Sequence, residues 1–130
     1  LTGDMSFIYD SNALWNRDLP FNLKIVVINN GGGGIFRIIE GPATIEELEP
    51  YFEAHHPVNL RSLSEAFGLE YLSAENEEDL KSAFDRLMHH TDRAAVLEVT
   101  TRADANAPLL KEYFAHIAEA FDKGDIRGAG

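Results

Sequence analysis

The chain contains no cysteine. Disulfides, zinc thiolate sites, iron–sulfur clusters and a cysteine nucleophile are therefore excluded. Basic residues are scarce: 11 Lys and Arg stand against 22 Asp and Glu, for a net charge of −11 and a pI near 4.7. A general electrostatic affinity for DNA or RNA is not expected of such a chain, and an anionic membrane surface would repel it. No apolar run approaches the roughly 18 residues a spanning helix needs, and no secretory signal is expected. Internal repeats and low-complexity linkers are absent as well. No serine lies in a convincing His/Asp context, which argues against a hydrolase triad. What is left is one domain of ordinary size, 130 residues, long enough to bury a core without a metal or disulfide staple. A soluble, cytoplasmic α/β domain is the expectation.

Hydrophobic periodicity alternates between helical and extended along the chain. Phe7, Ile8, Leu14 and Trp15 fall on one face of a helix over about 6–18. Asn22–Asn29 is a β-branched apolar run that reads as a strand buried on both faces, and Gly31–Gly34 breaks it. Thr44 to Glu47 has capping-box spacing for a short helix that Pro50 limits. Leu60, Leu63, Ala66 and Phe67 form the next helical face, stopped by Gly68, and Tyr71–Ser73 is a weak strand. Leu80, Ala83, Phe84, Leu87 and Met88 mark an amphipathic helix over about 77–89, opened by the acidic run Glu75–Asp79. That run suits the positive end of a helix dipole and needs no other role. Ala94–Thr100 is a second strong strand, and Leu109, Leu110, Tyr113, Phe114, Ile117 and Phe121 predict a last helix over about 106–122. Strands alternating with helices imply a three-layer α/β fold, a parallel sheet with helices on both faces. Residues 1–123 form that domain and 124–130 a frayed tail. The chain opens two residues before Gly3-Asp4 without a full strand ahead, so a fragment cut just upstream of a functional loop is expected.

Ligands of open parallel sheets bind beyond the carboxyl ends of the strands. Two segments qualify: Thr2–Ser6, entering the first helix, and Asn29–Gly34, leaving the buried strand. If their strands are neighbours, the loops share one edge. Together they offer the Asp4 carboxylate, the Asn30 amide oxygen, the Ser6 hydroxyl and glycine carbonyls and amides. Such oxygens suit Mg²⁺, which takes one or two protein ligands and completes its octahedron with phosphate and water. The helix entrance after Asp4 offers amides to the phosphates, and the glycines allow close backbone approach. The composite reads as a magnesium–diphosphate site. A dinucleotide fingerprint fails on spacing, since its last glycine would be Phe36 or Arg37, and no Gly-Lys-Ser/Thr follows to make a P-loop. The adjacent pairs His55-His56 and His89-His90 do not have the spacing of a metal site; Asp10 and Asn12 are left unassigned, and Arg102 and Asn106, on a loop after a strand where they could reach a ligand, are expected to serve the surface.

Gly3-Asp4, with Asn29-Asn30 closing an apolar strand 26 positions on, resembles the thiamin-diphosphate enzymes, whose fingerprint starts with Gly-Asp-Gly and ends with Asn-Asn. Met5 replaces the usual glycine. Gly3-Asp4-Met5-Ser6-Phe7, Asp10-x-Asn12-x-Leu14 and Asn29-Asn30-x-Gly32-Gly33-x-Ile35-Phe36 resemble one branch in particular, the 2-succinyl-5-enolpyruvyl-6-hydroxy-3-cyclohexene-1-carboxylate synthases of menaquinone biosynthesis. The likeness continues more loosely through His56-Pro57-Val58-Asn59-Leu60, Phe67-Gly68-Leu69-x-Tyr71 and Glu98-Val99. It implies the C-terminal diphosphate-binding domain of a longer enzyme. It implies that Asp4, the Asn30 side chain and the Gly32 carbonyl hold Mg²⁺, which Mn²⁺ can replace, against the cofactor diphosphate. Gly3, Met5, Ser6 and Gly33 would line the cofactor, and Ile35 and Phe36 would face the cofactor or substrate pocket. The full-length enzyme would decarboxylate 2-oxoglutarate and add the succinyl-semialdehyde unit to isochorismate. The activating glutamate would come from the N-terminal domain of a partner subunit. The 130-residue chain alone is then expected to be inactive, to carry no catalytic residue, and to self-associate as dimers. The alternatives are a different carboligase or decarboxylase of this cofactor class, such as an acetohydroxyacid synthase, and a non-catalytic α/β assembly module.

Overall fold

The structure is a computed structural model, and it describes residues 1–33 and 55–122. Four parallel strands form one sheet in the order β1-β2-β4-β3: β1 (Thr2–Gly3), β2 (Lys24–Asn29), β3 (Glu70–Ala74) and β4 (Ala95–Thr100). Helices α1 (Asp4–Asp10) and α2 (Leu60–Ala66) lie on one face, and α3 (Glu77–His89) packs on the other. The three-layer α/β arrangement expected from the alternating pattern is therefore present. The strand order is not sequential, because β4 inserts between β2 and β3 and pairs with both.

Register sorts the sheet residues cleanly. Opposite β4, Val26 and Leu72 both pair with Leu97, while Val27 and Ser73 both pair with Glu98. Side chains of paired residues share a face, and alternate residues change face. One face thus carries Val27 and Val96, which pack with Phe7, Leu14, Leu60 and Leu69. The other carries Leu72, Ala74, Ala95 and Leu97, which pack on Ala83 and Leu87 of α3. Val27, Val96 and Leu97 are wholly buried, as a central parallel sheet requires.

Several elements depart from the periodicity. The first helix is not continuous over 6–18. It is seven α-helical residues followed by a 3₁₀ segment, Ser11–Trp15. Ser11 Oγ donates to the Ile8 carbonyl at 2.8 Å, and a serine bonding back to the preceding turn is a common way to tighten a helix end. At three residues per turn the apolar face drifts. Leu14 stays buried, whereas Trp15, placed on the same face by a 3.6-residue period, is 75% exposed. A two-residue strand does precede α1, short enough that its alternation cannot be read.

On α2, Leu60 is buried but Ala66 is exposed; the buried position one turn on is Ser64, whose Oγ donates to the Leu60 carbonyl at 2.7 Å. The polar group is satisfied internally, so an apolar-pattern search passes it over. Gly68 terminates the helix at φ +74°, where a side chain would be strained. α3 holds its expected bounds, but Phe84 and Met88 remain exposed because the helix meets the sheet through Ala83 and Leu87. The last helix, α4, runs over Ala103–Asp122 and begins three residues before the expected start. Leu109, Tyr113, Phe114 and Phe121 on it are exposed. The expected short helix at Thr44–Glu47 and the tail lie outside the described residues.

Asn76 caps α3, its Oδ1 accepting from the Asp79 amide at 2.9 Å, with Glu77, Glu78 and Asp79 in the first turn. The acidic run is thus accounted for by the helix end. Asn76→Ala should lower unfolding free energy by about 1 kcal/mol, as capping residues typically do. Urea denaturation measures it, and an unchanged midpoint would refute the capping role.

Candidate functional site

β1 pairs with β2 so that Thr2 lies beside Val27 and Gly3 beside Ile28. Asp4 therefore leaves the sheet level with Asn29. Both segments singled out from the sequence emerge together at the carboxyl edge, and the sheet register alone brings them there.

Asp4 is the buried polar residue of this edge, with 3% of its side chain exposed. Its carboxylate joins three pieces of chain. Oδ1 accepts from the Met5 amide at 2.7 Å, and Oδ2 accepts from the Gly31 amide at 2.9 Å and from His56 Nε2 at 3.2 Å. A buried carboxylate is costly unless such donors surround it. Gly31 turns its amide toward Asp4 at φ +83°, a conformation that favours glycine. The Asn30 Oδ1 accepts from the Gly32 amide at 3.3 Å, which folds the start of the glycine run back on itself. Gly32 is buried, Asn30 and Gly33 are half-buried, and Ser6 and Gly3 are exposed at the same rim. Met5, half-buried, gives its amide to Asp4, so that amide is not free for a phosphate. Ile35 and Phe36 lie outside the described residues.

Two contributors were not foreseen. His55 and His56 approach from the segment before α2 and reach one loop each: His55 Nδ1 donates to the Gly31 carbonyl at 2.9 Å, and His56 bonds Asp4. They act as hydrogen-bond donors, so metal-ligand spacing could not reveal them. The one signal in the sequence was that His56 opens the stretch through which the family likeness continues. The second contributor is a polar chain inside the sheet. Glu98 on β4 accepts from Asn29 Nδ2 at 2.6 Å and from the Tyr71 hydroxyl at 2.5 Å. Asn29 Oδ1 in turn accepts from the Gly31 amide at 2.9 Å, alongside Asp4. The Arg61 guanidinium lies 4.5 Å over the Tyr71 ring. Burial, and next the bond to the Glu98 carboxylate, push the Tyr71 phenol well above its ordinary value. A glutamate inside the apolar run Ala94–Thr100 was the visible cue.

The donor set fits a hard divalent cation bound to a diphosphate. It offers one buried, oriented carboxylate, one amide oxygen and a backbone carbonyl on a tight glycine turn, the pattern of oxygen ligands that leaves Mg²⁺ room for phosphate and water. Among the described residues no three His, Asp or Glu side chains gather as a self-sufficient metal cage. A cleft of about 610 Å³ between Trp15, Phe67 and Arg93 lies at the opposite edge, before β3 and β4, away from these groups. Among the described residues no helix is long and apolar enough to cross a membrane.

Residues 1–99 match the family model of the thiamine pyrophosphate enzymes, C-terminal TPP-binding domain. The chain belongs to that family. Its relatives carry a more particular name. It is 44% identical over 118 residues to the 2-succinyl-5-enolpyruvyl-6-hydroxy-3-cyclohexene-1-carboxylate synthase of Porphyromonas gingivalis, covering 91% of this chain and 20% of that protein. The synthase of the same name from Christiangramia forsetii is 39% identical over 88% of this chain and 20% of its own length. That from Desulfotalea psychrophila reaches 55% over 53% of this chain and 13% of its own. The chain thus spans about a fifth of the curated relatives' length.

Proposed function

We propose that this chain is the diphosphate- and Mg²⁺-binding part of a longer thiamin-diphosphate-dependent synthase. That enzyme would be a carboligating transferase which decarboxylates 2-oxoglutarate and adds the succinyl-semialdehyde unit to isochorismate, in the cytoplasm, as a homo-oligomer. The observation that carries the reading is the 2.9 Å bond between Asp4 Oδ2 and the Gly31 amide, which locks the two halves of the fingerprint together. The names of the relatives support the choice of branch.

In this reading Asp4, the Asn30 side chain and the Gly32 carbonyl hold Mg²⁺, with Mn²⁺ as a substitute. Gly3, Met5, Ser6, Gly33, Ile35 and Phe36 line the cofactor. When bound, thiamin diphosphate supplies a carbanion-forming centre suited to 2-oxo acids. The chain's own work is placement: Asp4 fixes one edge of the diphosphate site, and the Asn29–Gly31 turn fixes the other. Activation of the cofactor is left to a glutamate elsewhere in the longer protein.

The test is made on the full-length protein. Thiamin diphosphate should bind in calorimetry only when Mg²⁺ is present, and 2-oxoglutarate should be consumed, with isochorismate as acceptor, in a cofactor-dependent way. Consumption of pyruvate in its place would move the chain to the acetohydroxyacid synthase type. Absence of Mg²⁺-dependent binding would leave an assembly module as the better account.

A further inference from the structure

We infer that His56 is a positioning residue that makes Asp4 a one-oxygen ligand and thereby biases the site toward Mg²⁺ over Ca²⁺; this rests on the metal site proposed above. A carboxylate oxygen offers about two lone-pair directions. Asp4 Oδ2 has both engaged, one by the Gly31 amide at 2.9 Å and the other by His56 Nε2 at 3.2 Å. Among the described residues Oδ1 has only the Met5 amide, at 2.7 Å, which leaves it one direction open. A cation arriving at this carboxylate meets a saturated oxygen and an available one.

The tautomer follows from the chemistry of the partner. A carboxylate only accepts, so Nε2 carries the proton in its bond to Asp4. The other ring nitrogen, Nδ1, is buried and has no hydrogen-bond partner among the described residues. The His56 side chain is only 10% exposed. The ring is held with its single engaged donor aimed at Oδ2. His55, bonded to the Gly31 carbonyl, anchors the same segment one residue earlier.

The consequence concerns ion choice. Mg²⁺ is small, keeps a near-octahedral shell and takes carboxylates through one oxygen, whereas Ca²⁺ accepts six to eight ligands and readily takes both oxygens of one carboxylate. Blocking Oδ2 leaves Ca²⁺ short of a ligand it would use and costs Mg²⁺ nothing.

The experiment is calorimetric titration of Mg²⁺ and, separately, Ca²⁺ into the full-length protein with thiamin diphosphate present. His56→Ala should lower the Mg²⁺-to-Ca²⁺ affinity ratio by about 10-fold, within the range that partners of metal ligands command. His56→Gln, which returns an N–H donor near the Nε2 position, should restore most of it. An unchanged ratio in His56→Ala that still binds metal would overturn the inference. The wild-type protein gives a second readout, independent of any variant: the carboxylate bands that respond to Mg²⁺ in difference infrared spectra should show the wide splitting of a one-oxygen ligand. Narrow splitting would overturn it too. If wild type shows no Mg²⁺-dependent cofactor binding at all, the parent reading fails first, and the two failures are told apart.

Discussion

Asp4→Ala is expected to lower Mg²⁺-dependent affinity for thiamin diphosphate by more than ~100-fold, since even the partners of metal ligands command 10–100-fold. The substitution acts on two levels. It removes the buried carboxylate placed at the junction of the two loops. It also leaves the Met5 amide and His56 Nε2 without this acceptor and takes one of the two acceptors of the Gly31 amide, which keeps Asn29 Oδ1. Hydrogen bonds to charged groups contribute about 1.5–3 kcal/mol each, but the three share one carboxylate and do not add, so a loss of about 2–4 kcal/mol is expected. Asp4→Asn separates the levels. It keeps the volume and one accepting oxygen, so it should retain more of the fold while losing the negative charge that a cation requires. Urea unfolding and calorimetry on both variants make the comparison. Wild-type cofactor affinity in Asp4→Asn would reduce Asp4 to a fastener between loops and defeat the metal assignment.

That the Asp4 and Asn29–Gly31 loops meet at one sheet edge was legible in the sequence, and the reasons are local. Gly3-Asp4 and Asn29-Asn30 are short motifs whose chemistry resides in the residues themselves, and an unbroken β-branched run announces a parallel strand, although only Val27 of β2 is buried and Val26 and Ile28 on its other face are half-buried. The sequence does not announce that β4 inserts between β2 and β3, because strand order depends on which faces the helices fill. Helical stripes were legible as stripes, yet Phe84 and Met88 lie where α3 turns away from the sheet, and periodicity reports a face without its width. Trp15 fell off its face because a 3₁₀ turn changes the period. His56 escaped for a different reason. Its partner is 52 residues away, and a lone donor to a carboxylate leaves no spacing rule in the chain. The chain Tyr71–Glu98–Asn29 is likewise assembled only by sheet register, since the three residues sit on β3, β4 and β2.

That register makes Glu98 the second residue whose loss should be felt widely. Glu98→Ala is expected to destabilise the fold by about 2–4 kcal/mol, since two half-buried donors, Asn29 Nδ2 and the Tyr71 hydroxyl, lose a charged acceptor. It should also weaken cofactor binding by about 10–100-fold without touching the ligand. With Glu98 in place, the Asn29 amide can point only one way: Nδ2 toward Glu98 and Oδ1 toward the Gly31 amide. Without it the amide is free to turn, and the Gly31 amide loses one of its two acceptors at the point where it meets Asp4. Tyr71→Phe removes only the other bond and should cost about 1 kcal/mol with cofactor affinity intact. Tyr71 also reports the network by pH. Its folded phenol titrates above its ordinary value, so the associated stability is fully present below about pH 10 and is lost as pH rises through the raised value. Glu98→Ala should move tyrosinate formation, followed by ultraviolet absorbance, back toward the ordinary phenol range. Equal loss of cofactor affinity in Tyr71→Phe and Glu98→Ala would show that sheet integrity, and not the orientation of Asn29, carries the effect.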